Sequence, residues 1–231
     1  MLRADLHIHS MYSDGQPHPK EILYEAINKG IDVVAVTDHD TFRGSLTARR
    51  IALSSRLELV VLIAAEIRTS LGDVLVYCPD TPPERMPREP GELADEAHAH
   101  GCIIAPAHPF DVFRGGLGDA VYELRGKIDA IEVYNAKSLP VFNEKALEAA
   151  RLLGLPGIGG SDAHVLDNIG AAYTLIDAEP DPEEVIKAIK HGRVRAGIRR
   201  ASIRGRLKSV VWSIRRRVRP PRHDWHWEEM Y

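Results

Sequence analysis

The chain has 231 residues, 44% hydrophobic and 27% charged, a composition that excludes a largely disordered chain and suits a single α/β barrel. Its formal net charge of −3 hides an asymmetry. Residues 193–231 hold 12 Lys or Arg against 3 Asp or Glu, which leaves 18 basic and 30 acidic residues to positions 1–192. No apolar run approaches the ~20 residues that span a bilayer. Charged Arg3 and Asp5 leave no room for a signal peptide, so the expected location is cytoplasmic. Cys78 and Cys102 stand 24 apart with no CxxC; this is not a disulfide scaffold and suits a reducing compartment, hyperthermophiles being the exception.

In chain order, residues 5–9 read as a short strand. Residues 18–30 read as a helix, with Ile22, Leu23, Ala26 and Ile27 at helical spacing and Gly30 closing it. Residues 31–37 are a buried strand, 41–55 a helix, 59–66 a long apolar strand and 73–78 another. The last two are separated only by residues 68–72, short enough for a hairpin excursion. Five prolines make 79–90 a loop. A helix at 91–101, a strand at 103–108 and a Gly-rich loop at 113–118 follow. Then come a strand at 128–135, a helix at 140–154 and a strand at 156–162. Residues 172–177 read as the last strand and 181–192 as a helix with Pro182 in its first turn. Alternating apolar strands and helices predict a parallel sheet covered by helices. About eight strands in this length fit a small or distorted barrel, and no GxGxxG or P-loop pattern supports a nucleotide-binding sheet.

Five of the eleven histidines fall where strands end: His7 and His9 (DLHIHS), His39 (TDHD), His108 (APAHP) and His164 (GSDAH). Asp14, Glu66 and Asp162 accompany them. Carboxyl ends of barrel strands converge on one mouth, so these residues can meet there. His7 and His9, like Asp162 and His164, are spaced i, i+2 and face one way on a strand. Glu66 ends the most apolar strand (LVVLIAAE), where an ionised carboxylate is costly unless paired or metal-bound. A lone buried His is more often hydrogen-bonded than ligating. Eight such residues in one mouth read as a metal site, with His and carboxylate donors suited to Zn²⁺, Mn²⁺ or Fe²⁺. His18, His98, His191, His223 and His226 read as surface or helix-end residues, and His100 is the one of this group not dismissed, because it leads toward the His108 strand. Asp40 is read as a cap for the helix that follows it, and Asp38 as a second cap or an orienter of imidazoles.

These pieces resemble the polymerase and histidinol phosphatase (PHP) family of metal-dependent phosphoesterases. The segments DLHIHSMYSDG, VVAVTDHD, AAEI, IIAPAHP, AIEVYNA and LPGIGGSDAH occur in family order between residue 4 and about 177. The last two are similar to the short stand-alone type. The resemblance implies a distorted (β/α)7 barrel with two to three divalent ions, Zn, Mn or Fe, with Mg also compatible. It implies that His7, His9, Glu66 and Asp162 hold one ion. Glu66 then bridges to a second, which His108 also binds, and Asp14, His39 and His164 hold a third. Many members carry a His on the strand after the bridging Glu. Here that strand reads GDVLVYC, and Asp73 stands in its place, either coordinating through oxygen or leaving the position empty.

The expected function is hydrolysis of a small phosphomonoester, a nucleotide or a histidinol-phosphate-like compound, by a metal-bound hydroxide attacking phosphorus in line. Glu66 is the expected catalytic residue. Arg114 and Lys137 are candidate phosphate binders, with Asn135 and Arg68 as further choices. The alternatives are a metal-dependent nuclease acting on phosphodiesters and a non-catalytic, metal-stabilised interaction domain. The expected division is a barrel over 1–198 and a basic helix and tail over 199–231. In residues 201–218, Ile203, Leu207, Val210, Val211, Ile214 and Val218 form a helical stripe, stopped by Pro220 and Pro221. The stripe is expected to cover the acidic barrel. An external role on nucleic acid, anionic lipid or an acidic partner is the alternative, without a membrane span.

Overall fold

The computed structural model describes residues 1–199 and 203–218. Its elements are β1 (Leu2–Ile8), α1 (Pro19–Asn28), β2 (Val33–Val36), α2 (Arg43–Ser54), β3 (Val60–Arg68), β4 (Asp73–Cys78), α3 (Pro90–Ala99) and β5 (Ile103–Pro106). There follow α4 (Ala120–Glu123), β6 (Ile131–Asn135), α5 (Pro140–Leu153), β7 (Gly157–Gly160), a 3-10 turn (Leu166–Asn168), β8 (Ala172–Ile176), α6 (Pro182–Lys190), β9 (Val194–Ile198) and α7 (Ile203–Val218).

Seven strands form one curled sheet in the order β5-β4-β3-β2-β1-β8-β9. Only β1, β2 and β3 pair in parallel; β4, β5, β8 and β9 join antiparallel. The hairpin expected between β3 and β4 is present, its four-residue link being too short for a crossover, whereas the antiparallel β5, β8 and β9 correct the parallel-sheet expectation. β6 and β7 form a separate parallel pair. It packs against the sheet on two sides: Asp129 and Ala130 N–H donate to Ile104 O in β5, while Gly159 N–H donates to Thr174 Oγ1 in β8 and His9 N–H, just after β1, donates to Ala163 O. The result is the distorted α/β barrel of the expected class. β9 is an unforeseen strand. Its Val194–Ile198 alternation carries an arginine and a glycine, and reads as the start of the basic tail. Gly197 is needed there, since a Cβ would lie 2.6 Å from the Tyr173 ring.

Branched and small apolar residues make the central strands, and β3 is buried from Val60 to Ile67. Leu6, Leu62, Leu75, Tyr77 and Ile103 pack with Val185, Ile186 and Ile189 of α6 in one cluster. Each such side chain contributes ~1.5–3 kcal/mol on burial. Ala4 and Leu6 belong to that cluster, whereas Ile8 packs with Ile22 and Ala48 of α1 and α2. The change of side coincides with irregular β1–β2 register between Asp5 and Ile8. Such a bulge re-aims the side chains that follow it.

Cys78 and Cys102 are disulfide-bonded. This corrects the reduced-cysteine expectation. Tyr77 pairs with Ile103, so continuing the antiparallel register sets the two cysteines opposite each other.

α7 docks on the barrel, but not by its stripe. Trp212 Nε1–H donates to Asp14 O (2.8 Å), Asn168 Nδ2 donates to Ser209 Oγ (2.7 Å), and Lys208 Nζ meets Asp167 at 2.6 Å. Gly205 is buried on that side. The six stripe residues are 57–79% exposed, so the expectation that they cover the barrel is corrected. The acidic partners and a small-residue edge fix the docked face instead. Pro220, Pro221, His223 and His226 lie outside the described residues. No helix among the described residues is long and apolar enough to cross a membrane.

Candidate metal centre

The carboxyl ends of β1, β2, β3, β5 and β7 supply His7 and His9, His39, Glu66, His108, and Asp162 with His164. β4 runs the other way, so its first residue, Asp73, comes to the same end. Asp14 arrives from the loop after β1. Glu66 is the hub: its Oε1 lies 3.0 Å from His108 Nε2, and its Oε2 lies 3.4, 3.3 and 3.2 Å from His7 Nε2, His9 Nε2 and His39 Nδ1. Asp162 Oδ1 lies 3.5 Å from His9 Nε2 and 3.4 Å from His164 Nδ1. Asp14 Oδ1 lies 2.9 Å from His164 Nε2, and its Oδ2 3.8 Å from His39 Nε2. The structure therefore brings all eight sequence-selected residues into one cluster.

Four subsets offer donor atoms within 4.8 Å of one another: His7, His9 and Glu66; His7, His108 and Asp162; His9, Asp14 and His164; and Glu66, Asp73 and His108. The last brings Asp73 within joint reach of an ion with the second-site residues. The donor set suits divalent metals. His9 Nδ1, His39 Nδ1, His108 Nδ1 and Asp14 Oδ1 are buried and make no hydrogen bond within the protein, a costly arrangement that a cation would relieve at the atoms facing the cluster.

Electrostatics follows from packing so many ionisable groups. Burial pushes Glu66 up, but the facing His7, His108 and His39 outweigh it and hold the carboxyl well below its usual range. Burial likewise opposes Asp162, where Arg114, Lys137 and His7 win and hold it well down. Burial lowers His164 to about 3, helped by Lys137, and lowers His39 to about 4. Asp73 is pushed up to about 7 by burial and by the Glu66 charge.

Several supporting residues were not singled out from sequence. Glu132 of β6 is buried and accepts from His7 Nδ1–H (2.9 Å), His108 N–H (2.7 Å) and Asn135 Nδ2–H (3.1 Å). It fixes His7 with Nε2 free to face Glu66 and His9. The signal was present, as a carboxylate inside the apolar IEV run. Gly160 makes room for this contact: a Cβ there would lie 2.3 Å from His7 Cβ and 3.0 Å from Glu132 Oε1. Asp5 accepts from Ser161 N–H and Gly170 N–H, tying β1 to the segments after β7 and before β8. Asp38 accepts from Ser10 N–H and Oγ–H and from Ser13 Oγ–H, which shapes the loop that carries Asp14. Asp40 does not cap α2. Its carboxylate takes Arg68 N–H and Arg88, while Phe42 occupies the N-cap without a side-chain bond. His108 and Asp162 have φ of +32° and +52°, a conformation costing of order 1 kcal/mol that non-glycine residues keep where surroundings enforce it.

Arg114 binds Asp162 and reaches Asn135 Oδ1 at 3.2 Å. Lys137 Nζ lies 3.3 Å from Asp162 Oδ1 and 2.6 Å from His164 Nδ1. Both cations thus stand at the cluster, in a mouth of about 840 Å³ that Arg68 and Phe113 also line. The α7 residues Val210, Ile214, Arg216 and Arg217 form one wall, and Arg216 pairs with Asp14. His100 is away from the cluster at the end of α3, where its Nδ1–H donates to Glu96 O.

The sequence profile of the PHP domain matches residues 5–108, and that of the PHP-associated family matches residues 140–194. An uncharacterised protein of Methanocaldococcus jannaschii is 36% identical over 148 residues, 58% of this chain and 82% of its own length. A two-domain protein from Bacteroides vulgatus, described as containing a predicted PHP-like metal-dependent phosphoesterase, superposes with a TM-score of 0.70 at 22% identity over 86% of this chain. This chain spans 65% of that protein's length. The lesion-specific endonuclease Q of Pyrococcus furiosus superposes with a TM-score of 0.59 at 20% identity, over 84% of this chain and 57% of its own. Both structural likenesses are of fold.

Proposed function

This chain belongs to the PHP family of metal-dependent phosphoesterases, and from that premise we propose that it hydrolyses a small phosphomonoester, a nucleotide or a histidinol-phosphate-like compound. The observation that carries the reading is Glu66, one buried carboxylate with four imidazoles within 3.4 Å. In this reading His7, His9, Glu66 and Asp162 hold one ion, Glu66, His108 and Asp73 a second, and Asp14, His39 and His164 a third. Zn²⁺, Mn²⁺ and Fe²⁺ suit the imidazoles, and the Asp73 oxygen shifts the second position toward Mn²⁺ or Mg²⁺. Bound there, such ions lower the pKa of coordinated water and neutralise phosphoryl charge.

The chain's own residues do the rest. Glu132 and Asn135 fix His7 and Asp162 before substrate arrives. Arg114 and Lys137 share Asp162, and an incoming phosphate dianion competes for both, so their contacts move from carboxylate to substrate. Glu66 supplies the negative charge that keeps ions together. Steady-state kinetics on metal-defined protein, with a panel of phosphomonoesters, single-stranded DNA and single-stranded RNA, tests the reading. Glu66→Gln keeps the shape and removes the charge, and is expected to lower kcat by at least about 10²-fold while the fold survives. Near-normal kcat in that variant, or no turnover of any panel member by the parent, would favour the non-catalytic interaction domain.

A nuclease acting on phosphodiesters is the second reading. It is favoured by Arg68, Arg216 and Arg217 lining the mouth, which offer sites for flanking phosphates. A higher kcat/KM on a single strand than on every monoester would establish it.

A further inference from the structure

We propose that α7 is an in-plane membrane-surface helix, which seats its outward apolar stripe in an anionic lipid bilayer while its opposite face stays docked on the barrel. At ~100° per residue, Ile203, Leu207, Val210, Val211, Ile214 and Val218 fall within an arc of about 100°. All six are exposed. Gly205, Ser209, Trp212 and Arg216 face the barrel from the other side of the helix, and Arg204 and Lys208 reach Asp167 from the stripe's edge. The stripe is thus presented outward by the docking contacts themselves, and no part of the barrel has to unfold for it to be used.

What borders the stripe identifies its occupant. Arg215 lines one edge, with Arg204 and Lys208 beside it paired to Asp167, and Arg206 and Arg217 line the other, all of them exposed. The helix holds six Lys or Arg and no Asp or Glu. An apolar strip flanked on both sides by long cationic side chains is the arrangement of a helix lying at a lipid–water interface, where the stripe enters the acyl boundary and the cations reach up to phosphate. A second copy fits less well, because pairing two such helices brings like charges together with no acidic residue on either. A nucleic acid would use the cations but leave the six apolar residues unpaired. Val210 and Ile214 also line the catalytic mouth. Seating the stripe therefore brings the mouth to headgroup level.

The test uses the full chain and vesicle flotation, with phosphatidylcholine alone and with an equimolar mixture of phosphatidylcholine and phosphatidylglycerol. The fraction bound to anionic vesicles is expected to exceed that on neutral ones by at least about tenfold, and to fall with salt. Leu207→Ser, Val210→Ser and Ile214→Ser together remove the middle of the stripe and retain every cation. This variant is expected to lose at least about tenfold of anionic-vesicle binding with an unchanged Tm, since the three side chains are already exposed. Arg206→Gln with Arg217→Gln should weaken binding to anionic vesicles and narrow the gap to neutral ones. Equal binding by the triple-serine variant, or no flotation of the full chain on anionic vesicles, overturns the proposal. So does a concentration-dependent dimer abolished by the serines, which assigns the stripe to a second copy. Vesicle binding that arises only after removal of residues 219–231 assigns it to the chain's own tail and overturns it equally.

Discussion

Replacing Glu132 by Gln should weaken metal binding without touching a ligand. In the parent, one carboxylate oxygen accepts from His7 Nδ1–H, and the other accepts from His108 N–H and Asn135 Nδ2–H. A carboxylate can only accept, so Nδ1 of His7 carries a proton, and in the neutral ring that a metal requires Nε2 is the nitrogen left for the ion. Glutamine keeps the volume. Its oxygen can serve His108 and Asn135, which puts its NH₂ against His7 Nδ1. That nitrogen must then accept, and the imidazole proton moves to Nε2, where a metal would bind. Losing such an orienting partner typically costs 10–100-fold in metal affinity, about 1.4–2.8 kcal/mol. The fold is expected to hold, because His108 N–H and Asn135 Nδ2–H keep their acceptor and His7 Nδ1 keeps a hydrogen-bond partner. Glu132→Ala should behave differently: three buried donors lose their acceptor at about 1–3 kcal/mol each, so its Tm should drop by many degrees. Competition of the protein with a chromophoric chelator for Zn²⁺, paired with thermal melts, separates the two. A folded Glu132→Gln protein with parental Zn²⁺ affinity would refute the tautomer argument.

Asp73→Ala should lower Mn²⁺ stoichiometry by one ion per chain in equilibrium dialysis, and Asp73→His should restore it with a preference moved toward Zn²⁺. Thiol titration in denaturant should find no free thiol until reductant is added, and Cys102→Ala should cost about 3.5 kcal/mol by the chain-entropy relation for a loop of this length, read by denaturant melts. Asp167 is held below its usual pKa by the Lys208 hydrogen bond and by Arg204. A depressed carboxyl contributes above its unfolded pKa and stops contributing as pH falls through the folded value. Asp167→Asn should therefore speed proteolysis within α7 at neutral pH, and the difference from the parent should disappear in acid.

Strand ends carry most of what the sequence revealed. Glu66 was legible because a carboxylate closing a seven-residue apolar run has few uses other than charge pairing or metal binding. Glu132 has the same character but sits inside its strand, where alternation makes a carboxylate look solvent-facing. Only the packing of β7 against β1, permitted by Gly160, turns it inward to His7. The cysteines were misread for a related reason. A spacing of 24 says nothing about pairing, and the antiparallel register of β4 and β5 alone makes them neighbours. Asp40 has a capping residue's chemistry but stands two positions too early, with Phe42 at the actual N-cap. For α7, periodicity gave the width of the stripe and could not give its direction. That was decided by Asp14, Asp167 and Asn168 on the barrel, residues that attract the helix's other face.

The disulfide has a bearing on the order in which the molecule opens. It closes one end of the β4–β5 ladder, and Asp73 and His108 stand at the other. With that end fixed, the two strands cannot slip in register, a movement that would carry Asp73 ~7 Å for each two-residue step. They can part only by unzipping from the Asp73 end toward the bridge, as a loop closed at its base. Amide protons of Val76 and Tyr77 should then exchange last within this ladder, and those beside Asp73 first. In a reduced chain that gradient should flatten, because fraying can begin at both ends.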